Sequence, residues 1–204
     1  MPTRNAWKAI QKAKRIVVKI GSSTLTRDGK IRPAKFTAIV RDVEALLEDG
    51  RQVVVVSSGA IAIGAHRLGW NPNHQNERSL REKQAAAAVG QIGLLELYQR
   101  RFARSGRQVG QILLTRAGLE NRERFINARH TMLELLRLGI VPVVNENDTI
   151  ATEEIRFGDN DNLAATIVSA VEADLLVILT DVDGLYESAP VEGQAKPPLI
   201  RTVS

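Results

Sequence analysis

Apolar residues in this chain follow two patterns that alternate from end to end. Short, nearly continuous runs occupy residues 15–20 (Arg-Ile-Val-Val-Lys-Ile), 53–56 (four valines), 108–114, 140–144 and 175–179. Each run is β-branched or leucine-rich and is bounded by Gly, Ser, Thr, Asn or Asp, which predicts strands rather than buried helix. Most lack the alternation of a half-solvated sheet, as strands covered on both faces do. Between the runs, apolar residues recur at helical spacing. Phe36, Ile39, Val40, Val43, Leu46 and Leu47 form one stripe, with Pro33 near its start and Gly50 just past its end, the asymmetry expected of a helix. Ser79-Leu80-Arg81-Glu82 has capping-box spacing and predicts a long helix to about Ser105, whose alanines 85–88 permit close packing. A third helix is predicted over roughly 121–138, stopping at Gly139, and a fourth over about 160–172.

This alternation implies an α/β fold, a three-layer αβα sandwich around a mainly parallel central sheet. Thr149 to Phe157, with Ile150, Thr152, Ile155 and Phe157 spaced irregularly, reads as a small β-hairpin projecting over the strand ends. Residues 187–198, with Pro190, Gly193, Pro197 and Pro198, read as a loop. Only six residues follow, so the last strand is expected to lack a covering helix and the sandwich to be C-terminally incomplete.

Composition narrows the class. With 204 residues, 44% hydrophobic and 25% charged, the chain is that of an ordinary globular protein with one sizeable core. The net charge of +5 admits nucleic acid or small anions as partners. The basic residues are scattered over helix faces without aromatic interleaving, as at Arg100, Arg101 and Arg104, which favours solvated surface. The absence of cysteine excludes disulfides, thiolate metal sites and a cysteine nucleophile. No secretory h-region is visible between Met1 and Lys14, and the longest uncharged stretch, Gln52 to Ala65, falls short of the ~20 residues a membrane span needs.

Candidate chemistry concentrates at the predicted strand ends. Asn145-Glu146-Asn147-Asp148 follows the fourth run, and Gly158-Asp159-Asn160-Asp161-Asn162 opens the fourth helix. Carboxylates and amides this dense beside a core are costly unless something charged lies between them, and the carboxyl ends of strands are where open α/β sheets bind ligands. A ligand bearing an ammonium, or a metal, would suit. Helix capping is the alternative for Asp159, but not for Asp148, Asn160 and Asp161 together. Lys19-Ile20-Gly21-Ser22-Ser23 and Ser57-Ser58-Gly59-Ala60 follow the first two strands. Both combine glycine with groups that accommodate anions, although Ser-Gly after a strand is also an ordinary turn. Thr180-Asp181 ends the last strand; it too can be a turn. The chain has no G-x-x-x-x-G-K-[ST] loop and no G-x-G-x-x-G fingerprint. Ile16-Val17-Val18-Lys19 lacks the companion motifs of protein kinases. Asp159-Asn160-Asp161 and Asp181-Val182-Asp183-Gly184 fail the EF-hand spacing. His66, His74 and His130 share no ligand spacing, and no residue is assigned to a metal.

From about Lys14 to Leu199 the chain resembles the amino acid kinase family, and within it the branch that phosphorylates glutamate. The resemblance is carried by Val-Val-Lys-Ile-Gly-Ser-Ser (17–23), Ser-Ser-Gly-Ala-Ile-Ala (57–62), Lys-Gln-Ala-Ala-Ala-Ala-Val-Gly-Gln (83–91) and Gln-Ile-Leu-Leu-Thr-Arg (111–116). It continues through Arg-Glu-Arg-Phe-Ile-Asn-Ala-Arg (122–129), Val-Asn-Glu-Asn-Asp (144–148), Gly-Asp-Asn-Asp-Asn-Leu (158–163) and Leu-Thr-Asp-Val-Asp-Gly-Leu-Tyr (179–186). The asparagine–aspartate clusters separate this branch from the acetylglutamate and aspartate kinases.

The resemblance implies an amino acid kinase domain over residues 1–204, comprising the amino-acid-binding part and the start of the nucleotide-binding part. It implies transfer of the γ-phosphoryl of ATP, with Mg²⁺, to the side-chain carboxylate of L-glutamate, the first step of proline biosynthesis. By resemblance, Lys19 contacts the transferred phosphoryl group and Gly21 and Ser22 line its loop. Ser58, Asp148 and Asn160 hold glutamate, Asp161 organises catalytic lysines, and Thr180 and Asp181 lie on the nucleotide side. The family further implies a cytoplasmic homo-oligomer under proline feedback, with no membrane partner. The family's Gly-rich segment with a second ATP-contacting lysine, and the C-terminal PUA domain of many members, have no counterpart before Ser204. Without the latter no nucleic-acid partner is expected. A non-catalytic module that binds glutamate, proline or a partner subunit is the alternative.

Overall fold

In the computed structural model, residues 4–27, 30–71, 74, 77–151, 159–188 and 195–200 are described. Five parallel strands form the central sheet: β1 (Arg15–Ile20), β4 (Gln52–Ser57), β5 (Val109–Leu114), β6 (Val141–Glu146) and β7 (Leu175–Leu179). Their order is β5-β6-β4-β1-β7. A two-residue antiparallel pair, β2 (Thr26–Arg27) with β3 (Lys30–Ile31), stands apart from the sheet. The helices are α1 (Arg4–Lys12), α2 (Ser22–Leu25), α3 (Pro33–Glu48), α4 (Ala60–Arg67), α5 (Leu80–Phe102), α6 (Arg116–Glu120), α7 (Arg122–Arg137) and α8 (Asp159–Val171). No helix among the described residues is long and apolar enough to cross a membrane.

The sheet is covered on both faces, and side-chain parity along each strand sorts the core into two halves. Ile16, Val18 and Ile20 of β1, Val53 and Val55 of β4 and Val143 of β6 pack with Phe36, Ile39 and Val40 of α3, Ile63 of α4 and Leu94, Tyr98 and Phe102 of α5. The intervening Val17, Val54, Val56 and Val144 pack against Met132 and Leu136 of α7 and Leu163, Ala164 and Ile167 of α8. This is the three-layer αβα sandwich that the continuous apolar runs predict: a strand with both faces buried has no polar positions to alternate. β7 departs from that rule. It is an edge strand, and its Ile178 is 46% exposed whereas all four valines of β4 are fully buried.

Local signals set the helix ends. Ser79 and Glu82 form the reciprocal capping box, with Glu82 N donating to Ser79 Oγ at 3.3 Å and Ser79 N to Glu82 Oε2 at 2.9 Å. The long helix closes in a 3₁₀ turn, Ala103–Ser105. The described residues of 187–198 form the expected loop, closed at its base where Tyr186 bridges Leu199 antiparallel and Glu187 N donates to Pro198 O at 3.0 Å. Most of the hairpin expected at 149–157, residues 152–157, lies outside the described residues.

α4 and α5 cross at the closest approach that backbones allow. A Cβ built on Gly90 would lie 1.8 Å from Ala60 O, and one on Gly64 would lie 1.8 Å from Ala86 O. The crossing presses the first turn of α4, and with it the end of β4, against the middle of α5.

The loops before β1 and β7 are tied together at the opposite end of the sheet. Asp174 Oδ2 accepts from the backbone N–H groups of Lys14 and Arg15, each at 2.8 Å, and these bonds hold its carboxyl below the ordinary value of 3.8. A depressed carboxylate contributes stability that is fully present above its unfolded value and is lost as pH falls through the folded one. Asp174→Asn should therefore destabilise the fold at neutral pH, with the deficit shrinking below about pH 4. Urea denaturation of both proteins across the acid range checks this; a deficit that stays constant with pH would show that the charge contributes nothing.

Candidate functional site

Because the sheet is wholly parallel, the carboxyl ends of β1, β4, β6 and β7 all open on one side, and the N-terminus of α8 returns to that side. Strand parity then decides which layer each polar group meets. Lys19 shares the face of Val17, toward α8, and is 7% exposed. Its Nζ lies 2.7 Å from Asp161 Oδ1 in the first turn of α8. That oxygen accepts no well-aligned hydrogen bond, so the contact is a charge pairing rather than a directed bond. A buried ammonium needs such a partner. The pair is asymmetric, since the lysine side chain is 9% exposed and the aspartate 46%. Lys19 is thus held by the core while Asp161 opens to solvent.

Ser57 and Asn145 share the opposite face, toward α5. Ser57 Oγ lies 2.9 Å from the hydroxyl of the fully buried Tyr98, whose pKa burial pushes far up. Asn145, 2% exposed, donates from Nδ2 to Gln91 Oε1 at 2.9 Å. Asn160 spans the strand ends, its Nδ2 donating to Ser58 Oγ at 2.7 Å and to Asn145 Oδ1 at 3.1 Å. Ser58 is fixed from below, its N–H donating to Ile20 O at 3.0 Å. Gly59 follows with φ +108° as the N-cap of α4, a left-handed conformation that only glycine adopts without strain. It turns the chain so that the first amides of α4 face the strand ends.

Gly21 N donates to Leu179 O at 3.3 Å, joining the turn after β1 to the end of β7. A Cβ at Gly21 would stand 3.7 Å from Lys19 Nζ, so the lysine head lies under this turn, where Ser22 opens the short helix α2. Thr180 and Asp181 continue just past Leu179 and are exposed; Thr180 Oγ1 accepts from Val182 N at 3.4 Å. Asp148, 9% exposed, lies in the turn after β6. The structure therefore joins Lys19 with Asp161, Ser58 with Asn160, and the Gly21–Ser22 turn with the end of β7. Among the described residues, neither Thr180 nor Asp181 is hydrogen-bonded or ion-paired to either cluster.

Gln91 and Asn145 received no role from sequence reasoning, although both stand in quoted motifs. A polar residue among the alanines of a predicted packed helix was the available signal at Gln91. No group of three or more His, Asp or Glu side chains among the described residues could hold a metal ion.

The sequence profile of the amino acid kinase family matches residues 14–204. A protein named glutamate 5-kinase from Burkholderia thailandensis is 53% identical over 184 residues, and one of the same name from Paraburkholderia phymatum is 52% identical over 184 residues. Each alignment covers 89% of this chain but 48% of the relative, so the chain spans about half the length of the curated relatives it matches. Among solved structures, the UMP kinase of Bacillus anthracis superposes with a TM-score of 0.57 at 15% identity, covering 89% of this chain and 70% of that one. That likeness concerns the fold alone. A profile match over nearly the entire chain, on a parallel αβα sandwich of the same fold, shows that the chain belongs to the amino acid kinase family.

Proposed function

We propose that this chain carries the amino-acid site, and the start of the nucleotide site, of an ATP-dependent kinase that phosphorylates the side-chain carboxylate of L-glutamate to L-glutamyl 5-phosphate. The observation that supports it most is the juxtaposition, at one end of the sheet, of a buried lysine paired with a solvent-facing carboxylate and a part-buried amide–hydroxyl cluster. The first suits a transferring phosphoryl group and the second an amino acid. The names of the relatives at 52–53% identity point the same way.

The acceptor carboxylate is already an anion at neutral pH, so the reaction needs no general base. The difficulty is to bring two anions together and to stabilise the charge that develops between them. Lys19, with its stem buried in β1 and its ammonium beneath the Gly21–Ser22 turn, supplies a fixed positive charge where that charge appears. Asp161 holds the ammonium in place by charge, leaving its protons for the phosphoryl oxygens. Asp148 and Asn160 present oxygen acceptors suited to the ammonium of glutamate, and Ser58 a hydroxyl for a carboxylate. Thr180 and Asp181 serve the nucleotide. Mg²⁺ would arrive on the phosphates of ATP, since Mg²⁺ sites of this kind lean on substrate oxygens. The same reading includes a cytoplasmic setting, a place at the first step of proline synthesis, proline as feedback inhibitor and a homo-oligomeric assembly.

Asp148→Ala in the enzyme carrying this chain should raise the glutamate KM tenfold or more and leave the ATP KM nearly unchanged. Losing a charge-assisted contact costs on the order of 1.5–3 kcal/mol, which appears in the step that binds the cation. A coupled ADP assay with each substrate varied in turn checks it. An effect confined to ATP overturns the assignment, and absence of glutamate-dependent ADP formation by the unsubstituted enzyme overturns the function.

A further inference from the structure

Gln91 occupies a position that packing alone does not explain. It follows Gly90 at the α4–α5 crossing, is 8% exposed, and lies among small residues where an apolar side chain would be the ordinary choice. Burying a carboxamide is costly unless its ends are bonded. Only its oxygen is: Oε1 accepts from Asn145 Nδ2 at 2.9 Å, while Nε2 is buried without a hydrogen-bond partner.

The consequence follows from counting donors and acceptors. A carboxamide has one donor end and one acceptor end. Because Gln91 offers its oxygen, Asn145 turns its NH₂ toward α5 and its Oδ1 toward α8. Asn160 then meets two oxygens, Asn145 Oδ1 at 3.1 Å and Ser58 Oγ at 2.7 Å, and serves both with Nδ2. Its own Oδ1 is left buried with no hydrogen bond from the protein. An acceptor in that state is suited to an ammonium N–H. Were Gln91 reversed, its NH₂ would claim Asn145 Oδ1 and Asn145 would present NH₂ to α8. Asn160 would then spend its oxygen on Asn145 and turn an NH₂ to the ligand, which repels a cation.

We infer that Gln91 is a positioning residue for the amino-acid site: it fixes the polarity of the Asn145–Asn160 amide pair so that Asn160 offers an acceptor to the substrate ammonium. The inference rests on the glutamate reading given above. The α4–α5 glycine crossing sets the depth at which Gln91 reaches the end of β6, linking a packing feature of the helical layer to recognition of charge at the sheet.

Calorimetric titration of the chain with glutamate and with glutarate, the same dicarboxylate without the ammonium, tests it. Gln91→Met keeps the length and removes the acceptor; Gln91→Glu keeps an acceptor. Gln91→Met should weaken glutamate about tenfold and leave glutarate unchanged, so the preference between them narrows. Gln91→Glu should keep the preference within about twofold of the unsubstituted chain, because Asn145 still meets an oxygen. Equal weakening of both ligands by Gln91→Met, or collapse of the preference in Gln91→Glu, reduces Gln91 to a packing residue and overturns the inference. If Gln91→Met fails to fold, the Gln91→Glu result decides. Failure of the unsubstituted chain to bind glutamate overturns the site reading itself, and binding of both ligands with equal affinity overturns ammonium recognition by Asn160.

Discussion

Replacing Lys19 with alanine should lower kcat for ATP-dependent phosphorylation of glutamate by about 10²-fold or more, with a smaller change in glutamate KM. A donor aimed at the transferring phosphoryl group acts chiefly in the transition state, so its loss appears in turnover rather than in ground-state binding. The geometry separates this effect from a loss of fold. The Asp161 side chain is 46% exposed although its Oδ1 is buried against the lysine, so water reaches the carboxylate from its open side and part of the penalty for an orphaned buried charge is avoided. Turnover should therefore fall far more than thermal stability. Arginine should rescue poorly. The lysine head sits 3.7 Å from the space a Gly21 side chain would occupy, beneath a tight turn, and a planar guanidinium fork is not a compact ammonium. Because Lys19 and Asp161 act on each other, Asp161→Ala combined with Lys19→Ala should cost less than the sum of the two. Steady-state and single-turnover kinetics of the three variants, beside their melting curves, check the set. A Lys19→Ala enzyme that kept most of its turnover would contradict the role given to the first strand end.

Gly90→Ala should be the most destabilising small substitution in the helical layer, at roughly 3 kcal/mol, with Tm lowered by about 6–12 °C. The added methyl would sit 1.8 Å from Ala60 O and 2.5 Å from Gly64 N. Both are backbone atoms inside a packed helix pair, so neither can move aside as a flexible side chain would. Relief requires the two helices to separate, which opens the core around Ile63 and Leu94 and carries Gln91 away from Asn145. Gly90→Ala should therefore weaken glutamate binding as well as the fold. Gly64→Ala meets Ala86 O at the same 1.8 Å, so the double substitution should cost clearly less than the sum, one separation relieving both clashes. Thermal melts of the two single variants and the double variant test this. Gly90→Ala melting within a degree or two of the unsubstituted protein would show that the crossing is not tight.

The elements that were legible in the sequence are those whose signals are local. The four valines of 53–56 could be read as a doubly covered strand because a run without polar positions leaves no face for water. The α5 start could be read because Ser79 and Glu82 cap each other across three residues. Pro33 and Gly50 marked the ends of α3 for reasons of backbone geometry alone. The pieces that escaped were short or lacked a repeating pattern. α2 and α6 are four and five residues long, and the β2–β3 pair has two residues a side, too few for any periodicity. Tyr186 and Leu199 pair across a segment whose prolines read as loop, since each proline removes a donor without preventing its neighbours from bonding.

The site divides in the same way. Chemistry-bearing residues at strand ends could be picked out because carboxylates, amides and a lysine beside a core demand partners, and the family resemblance attached roles to Lys19, Ser58, Asp148, Asn160 and Asp161. Their partners could not be read so. Lys19 and Asp161 are separated by most of the chain and meet only because β1 lies inside the sheet, with α8 packed over that face. Gln91, Asn145, Asn160 and Ser58 form one hydrogen-bonded chain only because strand parity turns Asn145 toward α5, and two glycines let α5 come close enough to reach it. Sequence by itself determined the layers, the helix ends and the identity of the reactive groups, since local sterics, capping and the cost of burying polar atoms act over a few residues. The order β5-β6-β4-β1-β7, the pairing of lysine with aspartate and the direction of the amide chain were decided by tertiary structure, since each depends on which faces of distant elements are pressed together.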